Sequence, residues 1–183
     1  MTMSLPLNKR EILETMLIND KPAKATDIAK DTGRDFKPVM MHILGLIRMG
    51  YVYTPEKGLY AITEKGKQAL GLPETSKEAA KTIIAQIPLN KAFHFYSDIG
   101  KPLNIYAYSL QDFSSKIQKA GSSSVEFHSK RGDFEAWFAG VGDLELAKKA
   151  SLLKERKVTG PDLSTRLQNL VEKRLRALAV VAC

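Results

Sequence analysis

The sequence has very little cysteine: Cys183, its last residue, is the only one in the chain of 183 residues. An intramolecular disulfide is therefore impossible, and a metal site would need the three histidines and the carboxylates. No run approaches the roughly 18 consecutive apolar residues of a membrane span. The N-terminus also lacks the basic and then apolar segments of a signal peptide. The sequence therefore favours a cytoplasmic protein with no membrane partner.

Sequence motifs for catalysis and cofactor binding are missing as well. There is no HExxH or cysteine cluster for a metal, and "GVGD" at 140–143 is too short for a phosphate-binding loop. No set of nucleophile, base and orienting residue can be recognised. We therefore predict a protein that is not an enzyme, with no metal and no cofactor.

The chain is basic, with a formal net charge of +8. Residues 1–72 contain 11 Lys and Arg against 8 Asp and Glu, and residues 73–183 contain 17 against 12. A positive surface is compatible with nucleic acid, but so thin an excess is equally compatible with an ordinary solvated surface.

Three helical patterns occupy the first fifty residues. Apolar residues at helical spacing in "NKREILETMLI" predict the first helix, with Asn8 as its cap. The segment "ATDIAKDTG" predicts a second helix, which Gly33 can end in a left-handed conformation. The segment "RDFKPVMMHILGLIRMG" predicts a third helix capped by Asp35.

A hairpin pattern follows the third helix. In "YVYTPEKGLYAIT" two extended segments flank a turn with Pro and Gly, and Thr63 is placed to cap the next helix. The segments "ATDIAKDTG", "HILGLIRMGYV" and "GLYAITEKGKQAL" resemble, in this order, the winged helix–turn–helix of MarR/PadR/ArsR-like regulators. The resemblance implies a winged helix–turn–helix domain over 1–72 with three helices and a β-hairpin wing.

The remainder of the chain reads as a connection and a second domain. "GLPETSKE" suggests a linker, and the helical pattern in "SKEAAKTIIAQI" places a connecting helix within 73–90. Several helical patterns then predict an all-helical domain over 91–183, so the fold class is mainly α. The segment "AYSLQDFSSKIQKAGSSSVEFHSKRGDFEAWFAGVGDLELAKKA" resembles an archaeal helical domain family of unknown function. This second resemblance implies an archaeal source and supplies no activity.

The third helix is the predicted DNA-reading element, yet it is apolar nearly all round. Val39, Ile43 and Leu46 have the spacing of a core-facing stripe. The apolar residues outside that stripe are Met40, Met41, Leu44 and Ile47. Base-reading positions are more often Arg, Asn, Gln or Ser, whereas Met is frequent at protein-binding surfaces. DNA reading and protein contact therefore both remain open for this helix. The candidate DNA-binding residues are Lys24, Thr26, Arg34, Lys37, Met40, Met41 and Lys57.

The densest polar and aromatic cluster is "FHSKRGDFEAWF", residues 127–138. One interpretation is a ligand pocket in which Arg131 binds an anion and His128 acts as acid or base. The favoured interpretation is structural: Asp133 caps a helix, Arg131 or His128 pairs with a carboxylate or carbonyl, and Trp137 joins the core. The basic residues between Lys148 and Arg176 are expected to form a solvated helix face, with phosphate contact or an acidic partner as the alternative.

These observations predict a non-catalytic, dimeric transcriptional regulator that binds double-stranded DNA. The helical C-terminal domain would mediate oligomerisation, partner contact or sensing. The alternative is a protein–protein interaction adaptor that uses the winged helix and the helical domain for docking.

Overall fold

The computed structural model describes residues 5–183. The chain divides into two compact units, and the boundary lies between Glu74 and Thr75. This boundary falls inside the segment 73–90 that the sequence analysis assigned to the connection. The connecting helix itself belongs to the second unit, since it begins at Lys77.

The described residues of the first unit, from position 5 onward, form four helices and a short hairpin. The predicted hairpin is confirmed: Val52 pairs with Ile62, and Tyr53 pairs with Ala61, in antiparallel register. The elements are α1 (Leu7–Asn19), α2 (Ala25–Thr32), α3 (Phe36–Arg48), β1 (Val52–Tyr53), β2 (Ala61–Ile62) and α4 (Glu64–Ala69).

The ends of these helices follow the sequence signals in most places. Gly33 ends α2 with φ of 64°, as predicted for a left-handed terminus. Thr63 accepts a hydrogen bond from the backbone N–H of Gly66 and so caps α4. Asn8 does not cap α1, because the helix begins one residue earlier and Pro6 occupies the N-cap position. Asp35 precedes α3 as predicted, but its side chain makes no capping hydrogen bond.

Ala23, which lies two residues before α2, forms an isolated β-bridge beside the hairpin. Ala23 and Tyr60 exchange two backbone hydrogen bonds, with N···O distances of 3.0 and 2.9 Å. The segment between α1 and α2 is thereby joined to Tyr60, the residue that directly precedes β2.

Helices α1, α2 and α3 enclose the core of the first unit. Their predicted stripes are confirmed, since Ile12, Ile28, Val39 and Ile43 are fully buried. At the other end of the unit, helix α4 lies close to the backbone of Tyr51. A Cβ atom on Gly66 would lie only 2.3 Å from the Tyr51 carbonyl oxygen, so glycine is required there.

The second unit is mostly helical but contains a β-hairpin. The pairing runs from Phe93↔Ala107 to Asp98↔Lys101, with two irregularities in register on either side of Tyr96. The elements are α5 (Lys77–Ile84), a short 3-10 helix (Leu89–Lys91), β3 (Phe93–Asp98), β4 (Lys101–Ala107), α6 (Leu110–Ala120), α7 (Ser122–Arg131), α8 (Asp133–Gly140), α9 (Leu144–Glu155) and α10 (Gly160–Ala182).

The prediction of an all-helical second domain is therefore wrong for residues 93–107. Phe93 and Phe95 are buried while His94 and Tyr96 are half-buried, which is the alternation of a strand. Gly100 has φ of 71° and permits the tight turn between β3 and β4. The mainly α fold class nevertheless holds for the described residues.

The helices of the second unit pack on an aromatic centre. Phe95, Phe113, Phe134 and Phe138 are almost completely buried, and the ring of Phe93 stacks on that of Phe134 with centroids 5.2 Å apart. The long helix α10 packs mainly against α6, α5 and α7 through an apolar stripe. The buried members of that stripe are Leu163, Leu167, Leu170, Val171 and Leu178. Among the described residues, no helix is both long enough and apolar enough to cross a membrane.

Candidate functional site

The outward side of α3 is the principal candidate in the first unit. Lys37, Met41, Leu44 and Arg48 are all exposed, and their spacing places them in one row along the helix. Met41 is 66% exposed and Leu44 is 37% exposed. We call these four residues the α3 surface. It has a positive charge near each end and apolar side chains between them.

The two adjacent methionines of α3 have different surroundings. Met40 is half-buried and packs against the core of the first unit, together with Ile47. Met41 projects from the α3 surface. Packing against the core therefore explains Met40 and Ile47, which lie outside the core-facing stripe. Packing does not explain Met41 and Leu44.

Arg34 does not present a free guanidinium. Its Nε and Nη2 atoms donate to the same carboxylate oxygen of Glu11, at 2.9 and 2.6 Å. The pair joins the residue before Asp35 to α1, and both side chains are about one-third exposed. A contact of Arg34 with a phosphate would have to compete with Glu11.

The remaining predicted contacts lie at two other places in the first unit. Lys24 is the N-cap residue of α2, and Thr26 is exposed in its first turn. The first turn of a helix favours anions, because its backbone N–H groups lack partners within the helix. Lys57 is exposed in the turn between β1 and β2.

In the second unit, the buried side chain of His128 on α7 is hydrogen-bonded to the backbone of β3. The backbone N–H of Tyr96 donates to His128 Nε2 at 2.8 Å, and His128 Nδ1 lies 2.7 Å from Asp133 Oδ2. Since Nε2 accepts, Nδ1 carries the proton and donates to the carboxylate. Both ring nitrogens are occupied, so His128 has no nitrogen left for acid–base chemistry with a ligand.

Burial lowers the pKa of His128 below its ordinary value of 6.5, although the hydrogen bond to Asp133 partly opposes that effect. Only 3% of the residue is exposed, so its charged form would be poorly solvated. The neutral form therefore dominates at neutral pH and keeps the Tyr96 hydrogen bond.

The capping prediction for Asp133 is wrong. Asp133 is the first residue of α8, Gly132 occupies the N-cap position, and no side chain caps the helix. The carboxylate instead accepts from His128 and from Arg131 Nε, the latter at 3.2 Å. The predicted pairing of His128 or Arg131 with a nearby carboxylate is confirmed for both residues.

Trp137 combines a core contact with a polar one. Its ring stacks on Phe113 with centroids 5.5 Å apart, and its Nε1–H donates to the carbonyl of Lys91 at 2.9 Å. The indole thereby joins α8 to the short helix before β3. These contacts support the structural interpretation of this residue.

The second unit contains a buried charged network that the sequence patterns did not predict. Arg174 donates from Nε to Asp143 at 2.8 Å, from Nη1 to Glu145 at 3.0 Å and from Nη2 to the hydroxyl of Thr75 at 2.9 Å. The ammonium of Lys149 lies 2.8 Å from Glu145. All four charged residues are at most 8% exposed. The expectation that the C-terminal basic residues form a solvated face is therefore wrong for Lys149 and Arg174.

Among residues 5–183, no group of three or more His, Cys, Asp and Glu side chains is arranged to hold a metal ion. A comparison of the chain with protein-family models, with curated proteins and with solved structures finds no match.

Proposed function

We propose that the protein is a DNA-binding regulator whose first unit is a winged helix–turn–helix that inserts α3 into the major groove. The observation that carries this proposal is the α3 surface, which is exposed along its length and has Lys37 and Arg48 at opposite ends. A helix fits the major groove of B-DNA, and cations near each end can contact phosphates on both sides of it.

The order of elements supports the winged-helix assignment. Three helices are followed by an antiparallel hairpin, and Ala23 adds one bridge beside Tyr60. The hairpin β1–β2 would be the wing, with Lys57 at its turn reaching a phosphate. Lys24 and Thr26 would contact a further phosphate from the first turn of α2.

Met41 and Leu44 are compatible with groove binding, because apolar side chains contact the methyl group of thymine. Such contacts discriminate less than the bidentate hydrogen bonds of Arg or Asn. The proposed mode is therefore mainly phosphate binding with modest base selectivity, and it gains strength when a homodimer doubles the contacts. The second unit would supply that dimerisation or a protein partner.

The test is a titration of the full chain against a duplex of random sequence at several salt concentrations. We expect the logarithm of the binding constant to fall linearly with the logarithm of salt concentration. Absence of binding at about 50 mM salt would contradict the proposal.

A second candidate function is a protein-interaction adaptor. The observation that favours it is the exposure of Met41, at 66%, beside Leu44 in the centre of the α3 surface. Methionine adapts its shape to different apolar partners.

The double variant Met41→Ser, Leu44→Ser distinguishes the two functions. DNA binding through phosphates predicts that its salt dependence equals that of the wild type. If the protein is an adaptor, the double variant should no longer capture its protein partner in a pull-down. The control is Lys37→Ala, which loses a charge and keeps both apolar side chains. Unchanged partner capture by the double variant would count against the adaptor.

A further inference from the structure

A cleft of about 270 Å³ opens in the second unit beside the buried His128. Its apolar walls come from Phe93, Tyr96, Ile99 and Phe127, contributed by β3, the following turn and α7. Arg131 lies at the cleft and provides its cation. The cleft volume lies just below the range of roughly 300–1,000 Å³ of pockets for drug-sized ligands, so it suits a smaller molecule.

The guanidinium of Arg131 is held by two contacts that leave its outer end unused. Nε donates to Asp133 at 3.2 Å, and the guanidinium carbon lies 5.2 Å from the centre of the Phe127 ring. The two terminal nitrogen atoms donate no hydrogen bond to any described residue. A guanidinium that is oriented by a carboxylate and a ring, with its two terminal amino groups vacant, matches the paired oxygens of a carboxylate.

Each acidic residue of the cleft has at least one cationic or hydrogen-bonding partner. Asp133 accepts from His128 and Arg131 through one oxygen. Asp98 accepts from the backbone N–H of Ile99 and lies 3.5 Å from the ammonium of Lys101. Arg131 lines the cleft, and its terminal nitrogens can take a second anionic partner because only Nε is bonded to Asp133. His128 contributes shape only, because both its ring nitrogens are occupied.

We propose that this cleft binds a small monocarboxylate with a flat apolar body, whose carboxylate pairs with the terminal nitrogens of Arg131. The apolar body lies against Phe93, Phe127 and Ile99. This site is independent of the proposed DNA surface, since all of its residues belong to the second unit.

The experiment compares three probes of one shape with the full chain: 3-phenylpropanoate, its neutral amide and 3-phenylpropylamine. Binding is followed by the NMR shifts of the Tyr96 and Gly100 amides and by calorimetry, up to about 10 mM probe. We expect the carboxylate to bind at least about tenfold more tightly than the amide, since a charge-assisted pair is lost in the amide. Tighter binding of the amine, equal binding of the amide, or no binding of the carboxylate would overturn the proposal.

Two variants of Arg131 test the geometry of the pair. Arg131→Gln removes the charge, and Arg131→Lys keeps the charge but loses the planar fork and its stacking on Phe127. Both should weaken carboxylate binding, by about tenfold or more for Arg131→Gln. The matched control is Lys130→Gln, since Lys130 pairs with Glu126 and does not line this cleft.

Urea unfolding followed by the fluorescence of Trp137 checks that the variants fold. Unchanged affinity in folded Arg131→Gln would overturn the proposal. If Arg131→Gln does not fold, Arg131→Lys decides alone: an affinity equal to that of the wild type rejects the paired geometry.

Discussion

Arg174 and Asp143 form a buried ion pair across the second unit, with 2.8 Å between Nε and Oδ2. Asp143 also accepts from the backbone N–H of Leu146 at 3.0 Å and thereby caps α9. The same guanidinium reaches Glu145 and the hydroxyl of Thr75. One side chain on α10 therefore fixes the start of α9 and the first residue of the second unit.

Replacing Arg174 with Ala should destabilise the second unit by about 3–5 kcal/mol, because Asp143 and Glu145 would stay buried without this partner. The measurement is urea unfolding followed by Trp137, the only tryptophan of the chain, which lies in this unit. The control is Arg176→Ala on the same helix, where the residue is exposed and the expected change is within about 0.5 kcal/mol. Equal effects of both variants would refute the importance of the buried network.

Two glycines of the first unit should differ in their response to substitution by alanine. Gly66→Ala would place a methyl group 2.3 Å from the carbonyl oxygen of Tyr51, and we expect a loss of about 1–3 kcal/mol. At Gly45 the nearest atoms belong to the flexible end of Lys9, at 3.3 Å. Gly45→Ala should therefore be neutral or stabilise α3 by up to about 1 kcal/mol. Far-UV circular dichroism during thermal unfolding measures both, and a destabilising effect of Gly45→Ala larger than that of Gly66→Ala would contradict the packing.

The stability of the second unit should fall in mildly acidic solution because of His128. Burial lowers the pKa of His128 below 6.5 in the folded protein, so the unfolded chain takes up a proton at a higher pH. The free energy of unfolding is then largest above about pH 7.5 and decreases as the pH falls through 6.5 towards the folded pKa. Protonation also puts a hydrogen on Nε2, facing the N–H of Tyr96.

Urea unfolding between about pH 7.5 and pH 5.5, followed by Trp137, tests this pH dependence. His128→Gln should flatten it, whereas His42→Gln in the first unit should leave it unchanged. A slope in the His128→Gln protein as steep as that of the wild type would show that another group is responsible.

Replacing each of the two adjacent methionines of α3 with serine, one at a time, should distinguish the residue that packs on the core from the residue that is exposed. Met40 packs against the first-unit core, so Met40→Ser should lower the stability of that unit by about 1 kcal/mol or more. Met41 is mostly exposed, and Met41→Ser should change stability by no more than about 0.5 kcal/mol. Hydrogen exchange of first-unit amides measures the difference. The reverse order of effects would mean that Met41 is the packed residue.

Local patterns in the sequence were sufficient for most of the helices. The stripe on α1 and the terminal glycine of α2 depend on residues close together in the chain, and both were predicted correctly. The hairpin 93–107 was missed because the half-buried residues His94 and Tyr96 are aromatic, like the buried Phe93 and Phe95. The residue types therefore do not alternate between apolar and polar, and that alternation is the main sequence signal of a strand.

The sequence patterns did not predict ion pairs between residues that are distant in the chain. From the sequence, Arg34 is a candidate phosphate-binding residue. In the fold it pairs with Glu11, which is 23 positions away in the chain. Arg174 belongs to a basic stretch that reads as a surface, and its partner Asp143 lies 31 positions earlier. Which cations stay accessible depends on tertiary packing, which the spacing of charges along the chain does not reveal.

The most direct test of DNA binding through the α3 surface compares Lys37→Ala with Lys30→Ala. Both lysines are exposed on helices of the first unit, and only Lys37 belongs to the α3 surface. In a salt titration with duplex DNA, Lys37→Ala loses one phosphate contact per protomer, which should make the slope of log binding constant against log salt shallower by about 0.9 for each bound protomer. Lys30→Ala should keep the slope of the wild type. Identical slopes for wild type and Lys37→Ala would contradict DNA binding through this surface.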